Sequence, residues 1–264
     1  MDSSTSALIL GVVQGLTEFL PVSSSGHQIV VSHLLGLTSE KIKTFEVVIQ
    51  LDSILAVVVV YWRRFLGLLN FKEKESFAGL RGLYLLFLTC LPASLVGLVA
   101  HDYITEYLFN PLSVALALIV GAFFIFYAEH KGERNTYRSV DDLTPQAALA
   151  IGCFQCLSLW PGFSRSTSTI MGGMLLGAKR KVAAEYSFLA AVPIMFAATG
   201  FVLLKAYKSL HIEDLPFFLT GSFVAFISSL LAIKILLKLI SHTSFRLFAW
   251  YRLVFAAVVW WYFF

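Results

Sequence analysis

Charged residues are scarce in this sequence of 264 residues: Asp, Glu, Lys and Arg make up 14% of it, whereas hydrophobic residues make up 58%. Soluble globular domains contain about 25% charged residues, so this composition excludes an ordinary soluble protein. The formal net charge of +4 is spread over many segments, which argues against nucleic acid as a partner. The composition predicts an integral membrane protein whose surface is covered largely by membrane lipids.

Cysteine is also scarce, with three residues in the whole chain. Cys90, Cys153 and Cys156 have no second Cys or His pair nearby, so neither a disulfide framework nor a zinc site is predicted. The first apolar stretch, Ala7 to Leu20, lacks the basic start and the small-residue cleavage site of a signal peptide. We expect this stretch to remain in the mature protein.

Long apolar stretches predict an all-α polytopic membrane protein, because about 20 such residues cross a bilayer as a helix. Six transmembrane helices are predicted, at residues 45–62, 83–100, 111–128, 182–204, 215–237 and 246–264. Two pairs of shorter apolar segments, 7–20 with 22–37 and 146–160 with 164–178, are joined by loops of Pro, Gly and Ser. Each pair is predicted to be a re-entrant helix hairpin, since irregular backbone is tolerated at membrane depth where protein buries it.

The two predicted hairpins repeat one another at a separation of about 140 residues. The matches are Gly11 and Gln14 with Gly152 and Gln155, Leu34-Leu35-Gly36 with Leu175-Leu176-Gly177, and, once one residue is dropped, Pro21 and Ser24 with Pro161 and Ser164. This pattern predicts a single membrane domain, 1–264, with one repeat at about 1–128 and another at about 140–264. Three spans separate the hairpins, so the repeats have inverted topology, and such folds bind ligands near the midplane.

The positions of Lys and Arg predict the orientation, because cytoplasmic loops carry the excess of both residues. If the first hairpin enters from outside, the cytoplasmic segments carry most of them, including Arg63, Arg64, Lys179, Arg180 and Lys181. The loop at residues 101–110, which would then lie outside, has no Lys or Arg. Both termini are therefore predicted to be extracytoplasmic, and we expect the active site to open to that side.

The first hairpin loop carries a candidate nucleophile with candidate bases. Gln14 and Glu18 are four residues apart and share a helix face. The serines at 23–25 begin the next helix, where free backbone amides favour an anion. A serine nucleophile needs an adjacent base, and His27 lies three residues after Ser24 on the same helix face. Ser24 is therefore the candidate nucleophile, with His27 as its base.

The second hairpin loop, residues 161–169, presents another helix start together with Arg165. An arginine at membrane depth is costly and by default functional, and its planar fork suits phosphate. Serine and threonine in membrane helices also serve as packing residues, so any single one is ambiguous. The conjunction of Glu18, Ser24, His27 and Arg165 predicts a catalytic site for a phosphorylated lipid. We expect six further residues to bind the substrate: Gln14, Ser23, Ser25, Ser164, Ser166 and Thr169.

Both loops resemble the signatures of the undecaprenyl-pyrophosphate phosphatase family, also called the bacitracin-resistance family. The resemblance rests on Gln14-x-x-x-Glu18 with the turn at 21–27, and on the stretch at 161–169, and it extends along essentially the whole chain. It implies hydrolysis of undecaprenyl pyrophosphate to undecaprenyl phosphate and inorganic phosphate in the bacterial plasma membrane. This reaction recycles the lipid carrier of cell-wall synthesis and confers bacitracin resistance.

The same resemblance implies a divalent cation, Mg²⁺ or Ca²⁺, held by Glu18 with a contribution from Gln14. One departure bears on this cation, because Gln14 stands where many relatives carry Glu. A site with two carboxylates therefore does not carry over.

Several alternatives stay open at the level of sequence. Glu18 and His27 can exchange roles, and a metal-bound water can replace Ser24 as the attacking group. A polyprenyl-phosphate transporter or flippase is the second hypothesis, because inverted repeats are a transporter architecture. A type-2 phosphatidic acid phosphatase is suggested by Ser25-Gly26-His27, but no His follows Arg165 until His211. A homo-oligomer is compatible with all of these functions.

Overall fold

The structure is a computed structural model that describes residues 3–37, 39–73, 75–132, 135–206, 212–240 and 243–263. These residues are predominantly helical, which confirms the predicted all-α class. The α-helices are α1 (Ser3–Thr17), α2 (Ser24–Leu34), α3 (Glu40–Val60), α4 (Trp62–Gly67), α5 (Gly79–Val99), α6 (His101–Tyr103), α7 (Pro111–Lys131), α8 (Pro145–Gln155), α9 (Arg165–Leu175), α10 (Arg180–Ala206), α11 (Leu215–Leu239) and α12 (Arg246–Phe263). A π-helical turn, Ile104–Leu108, and 3₁₀ turns at Val140–Asp142, Cys156–Leu159 and Ile212–Asp214 complete the elements. Residues 1, 2 and 264, at the ends of the predicted repeats, and His211 lie outside the described residues.

Four helices in the described ranges are long and apolar enough to cross a membrane. They lie at Gly79–Val99, Pro111–Lys131, Arg180–Lys205 and Ile212–Leu239. This number of spans makes the chain a multi-pass membrane protein. α3 and α12 were predicted as further spans, and both are long helices. Both helices carry charged residues: α3 carries Glu40, Lys41, Lys43, Glu46 and Asp52, and α12 carries Arg246 and Arg252.

The short helices of the two predicted hairpins pack against different partners. α1 packs most extensively against α11, and α8 packs most extensively against α5. Glycine makes both contacts close: a Cβ on Gly11 would lie 2.7 Å from the Gly221 carbonyl oxygen, and one on Gly152 would lie 2.6 Å from the Thr89 carbonyl oxygen. Small residues let membrane helices approach to this distance. Close packing against the long helices α11 and α5 therefore stabilises the short helices α1 and α8.

The outer surface of the molecule is apolar, whereas its interior contains many polar side chains. Exposed side chains include Val99, Phe123, Leu204, Phe223 and Trp261. Buried polar residues are concentrated in the loops and first turns at 14–28 and 164–169. Lipid is the natural solvent for such a surface, and polar groups are then satisfied inside. Many of the buried polar side chains therefore lie in the two short helix pairs.

Candidate active site

The tips of the two hairpins contact one another inside the protein. The Ser166 hydroxyl donates a hydrogen bond to the Leu20 carbonyl oxygen at 3.0 Å, which joins the second tip to the first. Phe19 packs edge-on against Phe188, with ring centroids 5.3 Å apart, behind this contact. Segments that are far apart in the chain therefore form one cluster of polar residues.

The Glu18 carboxylate lies at the centre of this cluster, and its two oxygens bind groups from both hairpins. Oε2 accepts hydrogen bonds from Ser24 Oγ at 2.7 Å and from Gln14 Nε2 at 3.0 Å. Oε1 accepts one from Arg165 Nη2 at 3.2 Å, which is also an ion pair. The Glu18 side chain is 5% exposed and that of Arg165 is 10% exposed. The arginine therefore compensates a carboxylate that would otherwise be buried with an unbalanced charge.

In each hairpin one serine caps the second helix, and its backbone has a positive φ. Ser23 precedes α2 with φ 74°, and Ser164 precedes α9 with φ 81°. Their hydroxyls accept hydrogen bonds from the amides of Gly26 and Thr167, each at 3.2 Å. Non-glycine residues rarely adopt positive φ, and such strain is commonly found at functional sites. Both caps leave free amides at a helix N-terminus, which is a place for an anion.

This geometry corrects one detail of the predicted repeat. The sequence pattern matched Ser24 with Ser164 by residue type. In the structure the caps are Ser23 and Ser164, so that Ser24 and Arg165 are each the first residue of a helix. The match by residue type was wrong because backbone conformation, rather than side-chain identity, determines which residue ends the loop. Ser24 and Arg165 thus hold equivalent positions.

His27 is bound by groups other than Ser24. Its Nδ1 lies 2.7 Å from the Ser23 carbonyl oxygen, and its Nε2 lies 2.6 Å from the Tyr251 hydroxyl. The ring stacks on Phe255 with centroids 4.0 Å apart. A carbonyl at Nδ1 requires the proton there, so in the neutral imidazole Nε2 accepts the hydrogen bond of the tyrosine hydroxyl. Among the hydrogen bonds of the described residues none joins His27 to Ser24, and the group adjacent to the Ser24 hydroxyl is Glu18.

Arg165 is held by hydrogen bonds to Ser187 of α10. Its Nη1 donates to the Ser187 carbonyl oxygen at 3.0 Å and lies 3.3 Å from the Ser187 hydroxyl. Thr169 contacts the same hydroxyl at 2.6 Å. The Arg165 Nε is buried and has no hydrogen-bond partner in the described part of the chain. A buried N–H without a partner is rare in proteins, so this nitrogen distinguishes Arg165 from an arginine that is fully satisfied by the protein.

The predicted substrate-binding residues differ in their accessibility. Gln14, Ser23, Ser166 and Thr169 are buried, at 1% exposure or less. Gln14 directs its amide nitrogen to Glu18, and Gln28 Nε2 lies 3.4 Å from the Gln14 amide oxygen. The partly accessible residues come in two adjacent pairs, Ser24 with Ser25 and Ser164 with Arg165. These two pairs are therefore the members of the predicted site that are open to the surroundings, whereas the other four residues are enclosed by protein.

Comparison with known proteins agrees with the resemblance of the two loops to a known family. Residues 7–258 match the model of the family described as bacitracin resistance protein BacA. The chain belongs to this family. It is similar to the undecaprenyl-diphosphatase of Maridesulfovibrio salexigens, with 60% identity over 259 residues, which cover 98% of each chain. It is also similar to the undecaprenyl-diphosphatases of Nitratidesulfovibrio vulgaris, with 58% identity over 99% of each chain, and of Lawsonia intracellularis, with 53% over 98% of each. The predicted family membership is confirmed.

Sequence reasoning missed three residues of this family member that contact the cluster. Arg252 is an intramembrane arginine on a predicted span, so the rule that singled out Arg165 applied to it equally. Ser187 and Tyr251 carry no comparable signal, because a serine or a tyrosine in a span is usually a packing residue. Their contacts with Arg165 and His27 depend on how α10 and α12 pack.

A divalent cation finds one carboxylate at this site. In the ranges that the structure describes, no three His, Cys, Asp or Glu side chains are grouped to hold a metal ion. Mg²⁺ commonly binds to one or two carboxylates and takes its other ligands from substrate phosphates and water. Glu18 therefore fits a cation that is shared with a bound pyrophosphate, and does not fit a cation held by the protein alone.

Proposed function

We propose that this protein is a hydrolase that converts undecaprenyl pyrophosphate to undecaprenyl phosphate and inorganic phosphate. In the bacterial plasma membrane this reaction returns the lipid carrier to peptidoglycan synthesis and confers bacitracin resistance. The observation that carries the proposal is the convergence of the Ser24 hydroxyl and the Arg165 guanidinium on the two oxygens of Glu18. The family membership and the names of the relatives support the substrate.

Binding of the pyrophosphate would use the partly accessible groups at the two helix starts. Arg165 offers its guanidinium, and the helix starts capped by Ser23 and Ser164 offer backbone amides to an anion. Ser25 and Ser164 add hydroxyl donors beside them. An incoming phosphate competes with Glu18 for the guanidinium, because both are anions. Substrate binding would therefore release the carboxylate from its ion pair and leave it beside the Ser24 hydroxyl.

The chemical step assigned to these residues is a displacement at the terminal phosphorus. Ser24 Oγ attacks, Glu18 takes its proton, a new O–P bond forms and the bond to the bridging oxygen breaks. Undecaprenyl phosphate leaves. Water then cleaves the phosphoserine, which releases inorganic phosphate and restores the hydroxyl. Arg165 and the helix N-termini stabilise the charge that develops on the transferred group.

His27 has a positioning role in this scheme. Its hydrogen bond to the Ser23 carbonyl oxygen supports the strained cap, and its contacts with Tyr251 and Phe255 attach that cap to α12. Proton acceptance falls to Glu18, the exchange of roles that the sequence left open, because Glu18 is 2.7 Å from the Ser24 hydroxyl.

A cation, Mg²⁺ or Ca²⁺, would be held by Glu18 together with substrate oxygens. Gln14 would contribute only after its amide turned its oxygen towards the cation, since the nitrogen now faces Glu18. When bound, the cation would neutralise charge on the pyrophosphate.

The full architecture that we propose has six spans, two re-entrant hairpins and an inverted repeat within one membrane domain. The matching caps before α2 and α9 support it, as do the positive-φ glycines Gly36 and Gly177 that follow these helices. In this repeat α8 corresponds to α1, and α11 corresponds to α5. The packing of α1 on α11 and of α8 on α5 therefore follows one pattern in both halves, which supports the repeat further. The excess of Lys and Arg in the predicted cytoplasmic segments supports an orientation in which both termini and the opening of the site lie outside the cytoplasm.

Phosphate release by the purified full-length protein tests the proposed reaction. Wild-type protein in detergent is given a polyprenyl pyrophosphate with Mg²⁺ or Ca²⁺, beside Ser24→Ala, Arg165→Ala and the control Ser222→Ala. Ser222 lies on α11 and its hydroxyl binds Asp52, away from the cluster. We expect rapid release by wild type and control, and release that is slower by about 100-fold or more in the other two variants. If wild type releases no phosphate with either cation, hydrolysis is wrong and the transporter hypothesis takes its place.

Accessibility of single cysteines tests the orientation. In a background in which Cys90, Cys153 and Cys156 are replaced by Ser, Asp102→Cys and Asn135→Cys are treated in intact cells with a membrane-impermeant maleimide. We expect labelling at position 102 in intact cells and at position 135 only after the membrane is opened. The reverse pattern would invert the proposed topology.

A further inference from the structure

Arg252 is a completely buried arginine in the middle of α12. Its exposure is 0%, and it is the largest side chain among the fully buried residues. All three guanidinium nitrogens donate hydrogen bonds, in total to five acceptors. Nε binds the Leu118 carbonyl at 3.1 Å, Nη1 binds the Pro21 carbonyl at 3.4 Å and Thr167 Oγ1 at 3.1 Å, and Nη2 binds the Gly162 carbonyl at 2.9 Å and the Ala117 carbonyl at 3.1 Å.

These acceptors come from both hairpin tips. Pro21 is in the loop of the first hairpin, two residues before the cap Ser23, and Gly162 is in the loop of the second, two residues before the cap Ser164. Thr167 adds the first turn of α9, and the remaining carbonyls belong to α7. One planar, rigid group therefore ties the two loops to each other and to a transmembrane helix.

Gly121 on α7 provides the space for this guanidinium. A Cβ at position 121 would lie 2.1 Å from Arg252 Nη2 and 2.7 Å from Cζ, closer than atoms can approach. Any side chain there would displace the guanidinium. Gly121 on α7 therefore leaves the space that the Arg252 guanidinium needs in order to reach both hairpin tips.

The charge of Arg252 has no anionic hydrogen-bond partner within the described residues. Its acceptors are four carbonyl oxygens and one hydroxyl. Arg165 differs, because it is paired with Glu18. Burying a cation among neutral acceptors is costly, and the cost is repaid when an anion binds close by. The loops bound by Arg252 lead directly into the helix starts where the pyrophosphate would bind.

We propose that Arg252 is a positioning residue that holds the two hairpin tips at the separation needed for Ser24 to meet the phosphate, and that its unneutralised charge strengthens pyrophosphate binding. This inference rests on the proposed function, and it assigns Arg252 no contact with the substrate. The competing interpretation is a buried arginine that stabilises the packing of α7 on α12 and nothing else.

Three variants separate position, charge and stability. Arg252→Lys keeps the charge but cannot bridge five acceptors, Arg252→Met removes both, and Gly121→Ala displaces the guanidinium without changing it. Arg180→Met is the matched control, because Arg180 also bridges helices but does so through Glu129, whose Oε1 binds the Phe245 amide away from the tips. For each protein we measure kcat and KM on a polyprenyl pyrophosphate, the affinity for an uncleavable bisphosphonate analogue, and Tm.

We expect Arg252→Lys and Gly121→Ala to lower kcat by about 10- to 100-fold while KM and analogue affinity change less than about threefold. Arg252→Met should lower kcat at least as much and weaken analogue binding by about tenfold or more, because the charge is gone. Arg180→Met should lower Tm and leave kcat and KM of the folded protein unchanged.

Two results would overturn the inference: normal kcat in Arg252→Lys and Gly121→Ala, or analogue binding by Arg252→Met equal to that of wild type. If every Arg252 variant loses Tm alone, the purely structural interpretation is correct. If wild type binds the analogue but releases no phosphate, the proposed function fails instead, and weaker binding by Arg252→Met still supports the inference.

Discussion

Ser23 and Ser164 immediately precede the second helices of the two hairpins and have nearly the same left-handed backbone conformation. The residues that follow them nevertheless differ in charge. The first hairpin continues with Ser24 and also carries Glu18, whereas the second continues with Arg165. Both helices end before a positive-φ glycine, Gly36 or Gly177. The two hairpins thus share a scaffold and differ in the chemistry mounted on it.

This difference teaches how a repeated structure becomes an asymmetric site. The equivalent first positions of α2 and α9 supply a hydroxyl and a guanidinium, and these approach opposite oxygens of one carboxylate. Glu18 alone accepts hydrogen bonds from both groups, because Leu159 and Trp160 stand where the first hairpin has Glu18 and Phe19. The proposed nucleophile and base therefore lie on one hairpin, and the guanidinium lies on the other.

Removing the guanidinium of the second hairpin should have the largest effect. Arg165→Ala takes away the charge that stabilises the transferred phosphoryl group, and we expect kcat to fall by about 10³-fold. Stability should fall by about 3–5 kcal/mol, because Glu18 is left buried without its ion-pair partner. Phosphate release and unfolding in detergent measure the two effects, with Arg165→Lys as the control that keeps the charge. A variant with a tenth of wild-type kcat would show that the hairpins do not divide the chemistry in this way.

Removing the hydroxyl of the first hairpin should come next. Ser24→Ala deletes the nucleophile but leaves Glu18 and Arg165 paired, so we expect kcat to fall by about 10²-fold or more with little change in Tm. Ser25→Ala, next in the same helix turn, should cost less than about tenfold. Acid quenching during turnover should trap phosphate on Ser24 in the wild type. Turnover by Ser24→Ala close to wild type would indicate direct attack by water.

The shared scaffold predicts matched effects at the two caps. Ser23→Ala and Ser164→Ala each lose one capping hydrogen bond and keep the strained φ, which should cost about 1 kcal/mol. Ser23→Gly and Ser164→Gly lose the same bond but relieve the strain, so they should cost less than half as much. Unfolding of the four variants in detergent tests this. Unequal costs at the two positions would mean that the caps are not equivalent.

The smallest effect is expected outside both hairpins, at Asp141. Burial alone would raise the pKa of this carboxyl, but hydrogen bonds from Ser139 and the Phe77 amide, together with Arg64, hold it below its usual value. A lowered pKa means that the contribution to stability is complete above pH about 4 and is lost as the pH falls through the folded-state pKa.

Asp141→Asn should therefore have a lower Tm than wild type at pH 7, with the difference shrinking as the pH is lowered below about 4. Its kcat at pH 7 should be unchanged. A difference in Tm that is independent of pH would remove Asp141 from the charged network, and a change in kcat would show that the effects are not confined to the hairpins.

Much of the site was readable from the sequence, because its residues cluster in two short loops. Glu18, Ser24 and Arg165 were singled out by spacing and by the cost of an arginine at membrane depth, and the structure brings Ser24 and Arg165 each within hydrogen-bonding distance of Glu18. The expected pairing of Ser24 with His27 did not appear, although the spacing of three residues was correct for one helix face. A side chain on a shared face turns towards the strongest partner available, and for His27 that partner is Tyr251, from a distant helix.

By itself, the sequence determined which segments are apolar, how long they are and where polar residues interrupt them, because these properties follow from residue type and from the thickness of a bilayer. Tertiary structure alone decided which groups meet: Arg252 with both tips, Arg165 with Ser187, and the capping role of Ser23 rather than Ser24. Hydrogen-bond partners are chosen by distance and direction in space, and the separation of residues along a chain carries neither.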